Sequence, residues 1–211
     1  MLKRNLAELS VADGKLYRDA MARYAGHVQL VTTSHEGARR GVAVTADGRR
    51  AVSASRDQTL HVWDLDDGRR LGILGGPPER KGGVTVSGVA MSADGKRVVS
   101  ASYDKKLKVW NLDRAKPLRT LRGHTSWVYG VAVTANGRWA VSASEDRTLK
   151  VWDLTTGKLI RTLEGHAGEV TGVAVAASGR WAVSASEDRT LRIWDLNTGA
   201  TVALMEAHAA L

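Results

Sequence analysis

A serine, a histidine and an aspartate recur together along this chain, as His124, Ser142 and Asp146 and again as His166, Ser184 and Asp188. These three residue types make up a hydrolytic triad, in which histidine takes the serine proton and a carboxylate orients the imidazole. Both serines and both aspartates stand inside GRWAVSASEDRTL, repeated without a difference at residues 137–149 and 179–191. A hydrolase needs one exposed nucleophile beside an oxyanion hole, not several copies spread over separate units. Other enzyme signals are missing. GGPPERKGG (75–83) lacks the Gly-Lys-Ser/Thr of a phosphate loop, and no HExxH or clustered carboxylate pattern appears. His27 and His61 are isolated and read as packing or surface residues. The expectation is a protein that is not an enzyme and takes no cofactor or metal.

The totals restrict the setting. At 211 residues without a cysteine, disulfides and thiolate metal sites are excluded. No run approaches the roughly 18 apolar residues of a membrane span. The start, MLKRNLAELSVADGK, lacks the apolar core of a secretory signal. A soluble cytoplasmic protein without membrane contact is expected. The net charge of +9 is uneven, with 18 Lys/Arg against 9 Asp/Glu in residues 39–122 and near balance elsewhere. Such a basic half is either a solubility feature or a surface that steers acidic partners or nucleic acid.

The elements that must position these residues follow from a repeat. Trp110, Trp152 and Trp194 are spaced by 42 residues, and Trp63 precedes them at a gap of 47 whose surplus is GGPPERKGG. In the third unit, WVYGVAV (127–133), WAVSAS (139–144), TLKVWDL (148–154) and KLIRTL (158–163) read as strands. The turns between them are TANGR, EDR and TTG, and Asn-Gly is a strong hairpin signal. β-branched and aromatic runs broken at this spacing indicate meandering antiparallel sheets.

The pattern GH…GVAV…GR.AVSAS.D.TL.VWDL..G, matched over residues 35–208, closely resembles the WD-repeat (tryptophan–aspartate) β-propeller family. The near-identical neighbouring units also resemble repeat arrays of bacterial multidomain signalling proteins. The resemblance implies an all-β propeller of four-stranded antiparallel blades, four of them clear and together half of a larger ring or a ring of their own. It also assigns His, Ser, Asp and Trp to one structural hydrogen-bonded network per blade. The third blade supplies His124, Ser142, Asp146 and Trp152, and the fourth His166, Ser184, Asp188 and Trp194. The first supplies His35, Ser53, Asp57 and Trp63, with Ser34 in place of the glycine before the histidine. The second keeps Ser100, Asp104 and Trp110 and lacks a matching histidine.

In the family, partner contacts come largely from the start of the first strand and from the residue before the turn aspartate. Carried onto this chain, the first-strand positions are Ala38 and Arg40 in the first unit and Thr85 and Ser87 in the second, then Trp127 and Tyr129, and Glu169 and Thr171. The pre-aspartate positions are Arg56, Tyr103, Glu145 and Glu187. These positions vary while the framework repeats, and Trp, Tyr and Arg are enriched in interface hot spots. Trp139 and Trp181 occupy equivalent positions and read as framework. The resemblance implies a non-catalytic protein–protein interaction scaffold, or a sensor module of a signalling assembly, binding a protein or peptide. The alternative is a nucleic-acid-associated module using residues 39–122.

Residues 1–34 form an N-terminal segment before the blades of 35–211. DGKLYRDAMARYA (13–25) places Leu16, Ala20 and Tyr24 on one helical face with Asp13 as a cap, which predicts a short helix. Residues 27–34 align with the outer strand of a preceding, degenerate blade. Ala200–Met205 completes the fourth blade and leaves no vacant strand for a clasp. The blades then belong to a larger array or complete a ring as a homodimer that sets first blade against fourth twice, the competing outcomes being a strained four-bladed monomer and an open fragment that aggregates.

Overall fold

The computed structural model describes residues 39–55, 57–75, 85–112, 114 and 117–206. The first blade is β1 (Arg39–Val44), β2 (Arg50–Ser55), β3 (Leu60–Asp64) and β4 (Arg70–Leu74). The second is β5 (Val86–Met91), β6 (Arg97–Ser102), β7 (Lys106–Asn111) and β8 (Pro117–Arg122). The third is β9 (Val128–Val133), β10 (Trp139–Ser144), β11 (Leu149–Asp153) and β12 (Leu159–Leu163). The fourth is β13 (Val170–Val175), β14 (Trp181–Ser186), β15 (Thr190–Asp195) and β16 (Thr201–Glu206). Each set forms one four-stranded antiparallel sheet in sequence order. The all-β blade architecture is the one the repeat predicts. The helix read over 13–25, the strand over 27–34 and His35 lie outside the described residues.

Local chemistry sets the turns. Between β9 and β10, Asn136 Oδ1 accepts the Arg138 N–H at 3.0 Å while Gly137 takes φ +66°, where a Cβ is disfavoured. Between β11 and β12, Asp153 Oδ1 accepts the N–H groups of Thr155 and Thr156, each at 2.8 Å. That carboxylate is the aspartate of the Trp-Asp pair, and it organises the turn.

The blades stack through apolar faces. Val141, Ala143, Leu149, Val151 and Leu163 of the third blade pack on Val170, Ala182, Trp194 and Leu196 of the fourth, all buried. Equivalent cores join first to second and second to third. Each buried Val or Leu contributes about 1.5–3 kcal/mol relative to leaving it in water. Glycine in the innermost strands of the first two blades permits the close approach of the next. A Cβ on Gly88 would lie 3.1 Å from the Tyr129 carbonyl oxygen, and one on Gly41 would lie 3.3 Å from the Val89 nitrogen.

The two end blades differ from the interior ones. Val183 of the fourth blade is 36% exposed, while Val52, Val99 and Val141 at the same position are each 0% exposed. Met205 is 40% exposed where Leu163 is 1%. On the first blade Val42 and Val44 are 56% and 48% exposed. At both ends the described residues leave exposed the faces that interior blades bury.

Candidate functional site

In the third blade, Trp152 Nε1 donates to Ser142 Oγ at 2.9 Å, and the same hydroxyl lies 2.7 Å from His124 Nε2. His124 Nδ1 lies 2.7 Å from Asp146 Oδ2. With its proton on Nδ1, a neutral imidazole donates to Asp146 and accepts the Ser142 O–H, so the polar atoms of this tetrad are matched. The fourth blade repeats it, with Trp194 donating to Ser184 at 2.8 Å and His166 bridging Ser184 and Asp188 at 2.7 Å each. In the first two blades, Trp63 and Trp110 donate to Ser53 and Ser100 at 2.8 and 2.9 Å. Asp104 of the second blade faces Lys106 at 3.5 Å. Ser142 and Ser184 are 0% and 1% exposed, a placement that bars them from attacking a substrate in solution.

Sequence reasoning missed a fifth member. Thr148 Oγ1 donates to Asp146 Oδ1 at 2.6 Å, and Thr190 and Thr59 donate to Asp188 and Asp57 at 2.7 and 2.6 Å. The signal was an Asp-x-Thr present in three of the four units and replaced by Asp104-Lys105-Lys106 in the second.

A family model described as "WD domain, G-beta repeat" matches residues 26–64, 68–111, 115–153 and 157–195. The chain belongs to the WD-repeat family. No curated protein matches the chain in a sequence comparison. In WD-repeat proteins generally the fold serves as a scaffold for protein–protein interaction.

The strands of each WD blade alternate in direction, so the turn between its second and third strands and the start of its own innermost strand share one end. Backbone hydrogen bonds fasten them: Tyr103 N–H to Thr85 O at 3.1 Å, Glu145 N–H to Trp127 O at 3.0 Å, Glu187 N–H to Glu169 O at 2.9 Å. Each innermost strand also carries a bulge at that end. Arg40, Ser87, Tyr129 and Thr171 are the extra residues, each followed by glycine. Bulges redirect side chains and recur beside functional surfaces. Ala38, Arg56 and the side chain of Arg40 lie outside the described residues.

The described positions meet in one group. Trp127, 44% exposed, stacks on Tyr103 of the preceding blade with ring centroids 4.7 Å apart and planes at 12°. Tyr129 meets Tyr103 edge-on at 6.0 Å and 86°. The Tyr129 hydroxyl donates to Glu169 Oε2 at 2.8 Å. Burial, then the Glu169 carboxylate, raise the Tyr129 phenol well above its usual value, so it stays a donor. Glu145 accepts from the Ser126 hydroxyl and, at 3.4 Å, from the Trp127 N–H. Trp127 therefore joins two blades and still presents much of its ring to solvent. By contrast Trp139 packs against the core between the third and fourth blades, and Trp181 lies under the Arg180 guanidinium at 4.4 Å. His61 is buried and tilted against Trp63 at 5.7 Å. Among the described residues no group of His, Asp and Glu could hold a metal ion.

The tetrads predict a pH response. Burial pushes the Asp146 carboxyl up, but hydrogen bonds from His124, Thr148 and the Thr125 N–H outweigh it and hold the group well below the ordinary 3.8. At Asp188 burial acts the same way, and Thr190, His166 and the Ala167 N–H outweigh it. A depressed folded-state value gives stability that is complete above the unfolded value and lost as pH falls through the folded one. Melting temperature should hold steady from pH 7 to about 5, then fall as the pH drops below about 4. Asp146→Asn should flatten that fall; an unchanged acid limb in the variant would contradict the assignment.

Proposed function

We propose that this WD-repeat protein is a non-catalytic interaction scaffold, or the sensor module of a signalling assembly, that takes a protein or peptide partner on the inner-turn face. The observation that carries this reading is the Tyr103–Trp127–Tyr129 group, set at the bulged strand starts with Trp127 44% exposed. Exposed aromatics in a partly desolvated setting supply much contact area at low entropic cost, and such anchors dominate interface energies. Affinity capture with wild type and Trp127→Ala side by side tests it. A partner retained by wild type should be lost or weakened by about 1–2 kcal/mol in the variant, with the melting temperature nearly unchanged. Unfolding of Trp127→Ala would instead make the ring a core residue.

The nucleic-acid alternative draws on exposed cations such as Arg49, Arg50, Arg69, Arg70 and Lys96. They stand on the turns, or on the strand starts beside them, at the opposite end of the blades from the aromatic group. A nucleic acid in the captured material, with affinity falling steeply in salt, would favour that alternative.

A second proposal concerns assembly: two copies associate head to tail, first blade against fourth. What supports it is the exposure of Val42, Val44, Val183 and Met205, at positions that interior blades cover with a neighbouring blade of this same chain. A second copy carries both complementary faces, so the twofold contact covers each open face with the surface type that covers it inside the chain.

A further inference from the structure

Beside the aromatic group lies a cleft of about 380 Å³ lined by Ser87, Tyr103, Tyr129, Thr171 and Glu187. Its hydroxyl protons are mostly committed elsewhere. Ser87 donates to the Val128 carbonyl, Thr171 to the Ala185 carbonyl at 3.3 Å, and Tyr129 to Glu169 at 2.8 Å. What these groups offer a ligand is oxygen lone pairs and two tyrosine rings at 86° to one another. No Lys or Arg lines the cleft among the described residues.

The charge in the cleft has a traceable origin. Glu145 and Glu187 hold the same position in consecutive blades, yet only Glu145 is tied down, by the Ser126 hydroxyl and the Trp127 N–H. In the fourth blade Gly168 stands in place of Ser126 and Glu169 in place of Trp127. Gly168 packs against the turn so closely that a Cβ would lie 2.6 Å from the Asp188 nitrogen, so no side chain reaches Glu187 from there. No hydrogen bond or ion pair engages the Glu187 carboxylate among the described residues. A solvated anion thus faces two aromatic walls in a cleft rich in acceptors.

We infer that this cleft receives a cationic side chain, arginine or lysine, of a basic segment in the partner. The carboxylate supplies the counter-charge, the Tyr129 ring supplies cation–π attraction, and the Ser87 and Thr171 oxygens accept hydrogen bonds. A neutral or acidic side chain gains none of the first two. The inference rests on the inner-turn face being the interaction face, and it names the chemistry that this face selects.

The test is an amide and indole NMR titration of the full chain with three capped tripeptides, Gly-Arg-Gly, Gly-Lys-Gly and Gly-Gln-Gly. The cationic peptides should move the signals of Tyr103, Tyr129, Thr171 and the Trp127 indole saturably, and the glutamine peptide should not. Glu187→Gln should weaken the cationic peptides by about three- to tenfold with the rest of the spectrum unchanged, whereas Glu145→Gln leaves them unaffected. Stronger binding of the arginine peptide would identify a planar guanidinium stacked on tyrosine, and of the lysine peptide a point charge. No saturable shift with either cation, equal binding of the glutamine peptide, or wild-type affinity in Glu187→Gln would overturn the inference. A captured partner that survives Glu187→Gln but is lost with Trp127→Ala rejects the cation and leaves the interaction face standing; one that survives both rejects the face itself.

Discussion

Trp152→Ala is expected to destabilise the protein by about 3–5 kcal/mol, a fall of roughly 6–20 °C in melting temperature. The indole is 1% exposed, fills the core between the second and third blades, donates to Ser142 and meets His124 at 6.1 Å and 61°. Removing it opens a large cavity and leaves the serine network without its first donor. Asp146→Ala should cost less, about 1–3 kcal/mol, because it strips acceptors from His124, Thr148 and the Thr125 N–H without hollowing the core. Trp63→Ala, at the same position in the first blade, should also cost less than Trp152→Ala, since that indole is half-buried beside an open face. Denaturant titrations of the three variants check the order. Equal losses at Trp152 and Trp63 would mean that the first blade is covered as fully as the third.

Charging an open blade face should abolish self-association. Light scattering on the wild-type chain should give a dimer, and its melting temperature should rise with concentration because association favours the folded state by mass action. Val183→Glu and Val42→Glu each place a carboxylate where the head-to-tail contact would desolvate it. Both should be monomers whose melting no longer depends on concentration. Neither site lies in an internal core, as Val183 is 36% and Val42 56% exposed, so the variants should remain folded. A wild-type chain that is monomeric with concentration-independent melting would reject the head-to-tail contact.

The fold was legible because the same side chains recur at a spacing of 42 and each strand is bounded by Asn, Asp or Gly turns. Strand limits moved by a residue or so: the strand read as 127–133 is Val128–Val133, and that read as 158–163 is Leu159–Leu163. Trp127 and Lys158 fall at turns where carboxylate contacts and turn bonds replace ladder pairing. The candidate site was legible as positions and not as chemistry. Glu145 and Glu187 look alike in sequence, but among the described residues only the Glu145 carboxylate is engaged, because of Ser126 and Gly168, which lie 19 residues before them in the chain and beside them in space. The bulges were hidden as well. A glycine after Arg40, Ser87, Tyr129 and Thr171 marks them, but only strand pairing reveals which residue is extra.

The central claim divides the chain into a repeated framework that holds the blades and variable inner-turn residues that bind. Calorimetric titration of the captured partner against Trp127→Ala and Asp146→Ala, with melting curves of both, tests that division most directly. The prediction is a crossed result: Trp127→Ala loses affinity and keeps its melting temperature, while Asp146→Ala loses melting temperature and, below it, binds like wild type. Wild-type affinity in a folded Trp127→Ala, or hydrolysis that vanishes with Ser142→Ala at unchanged stability, would contradict it.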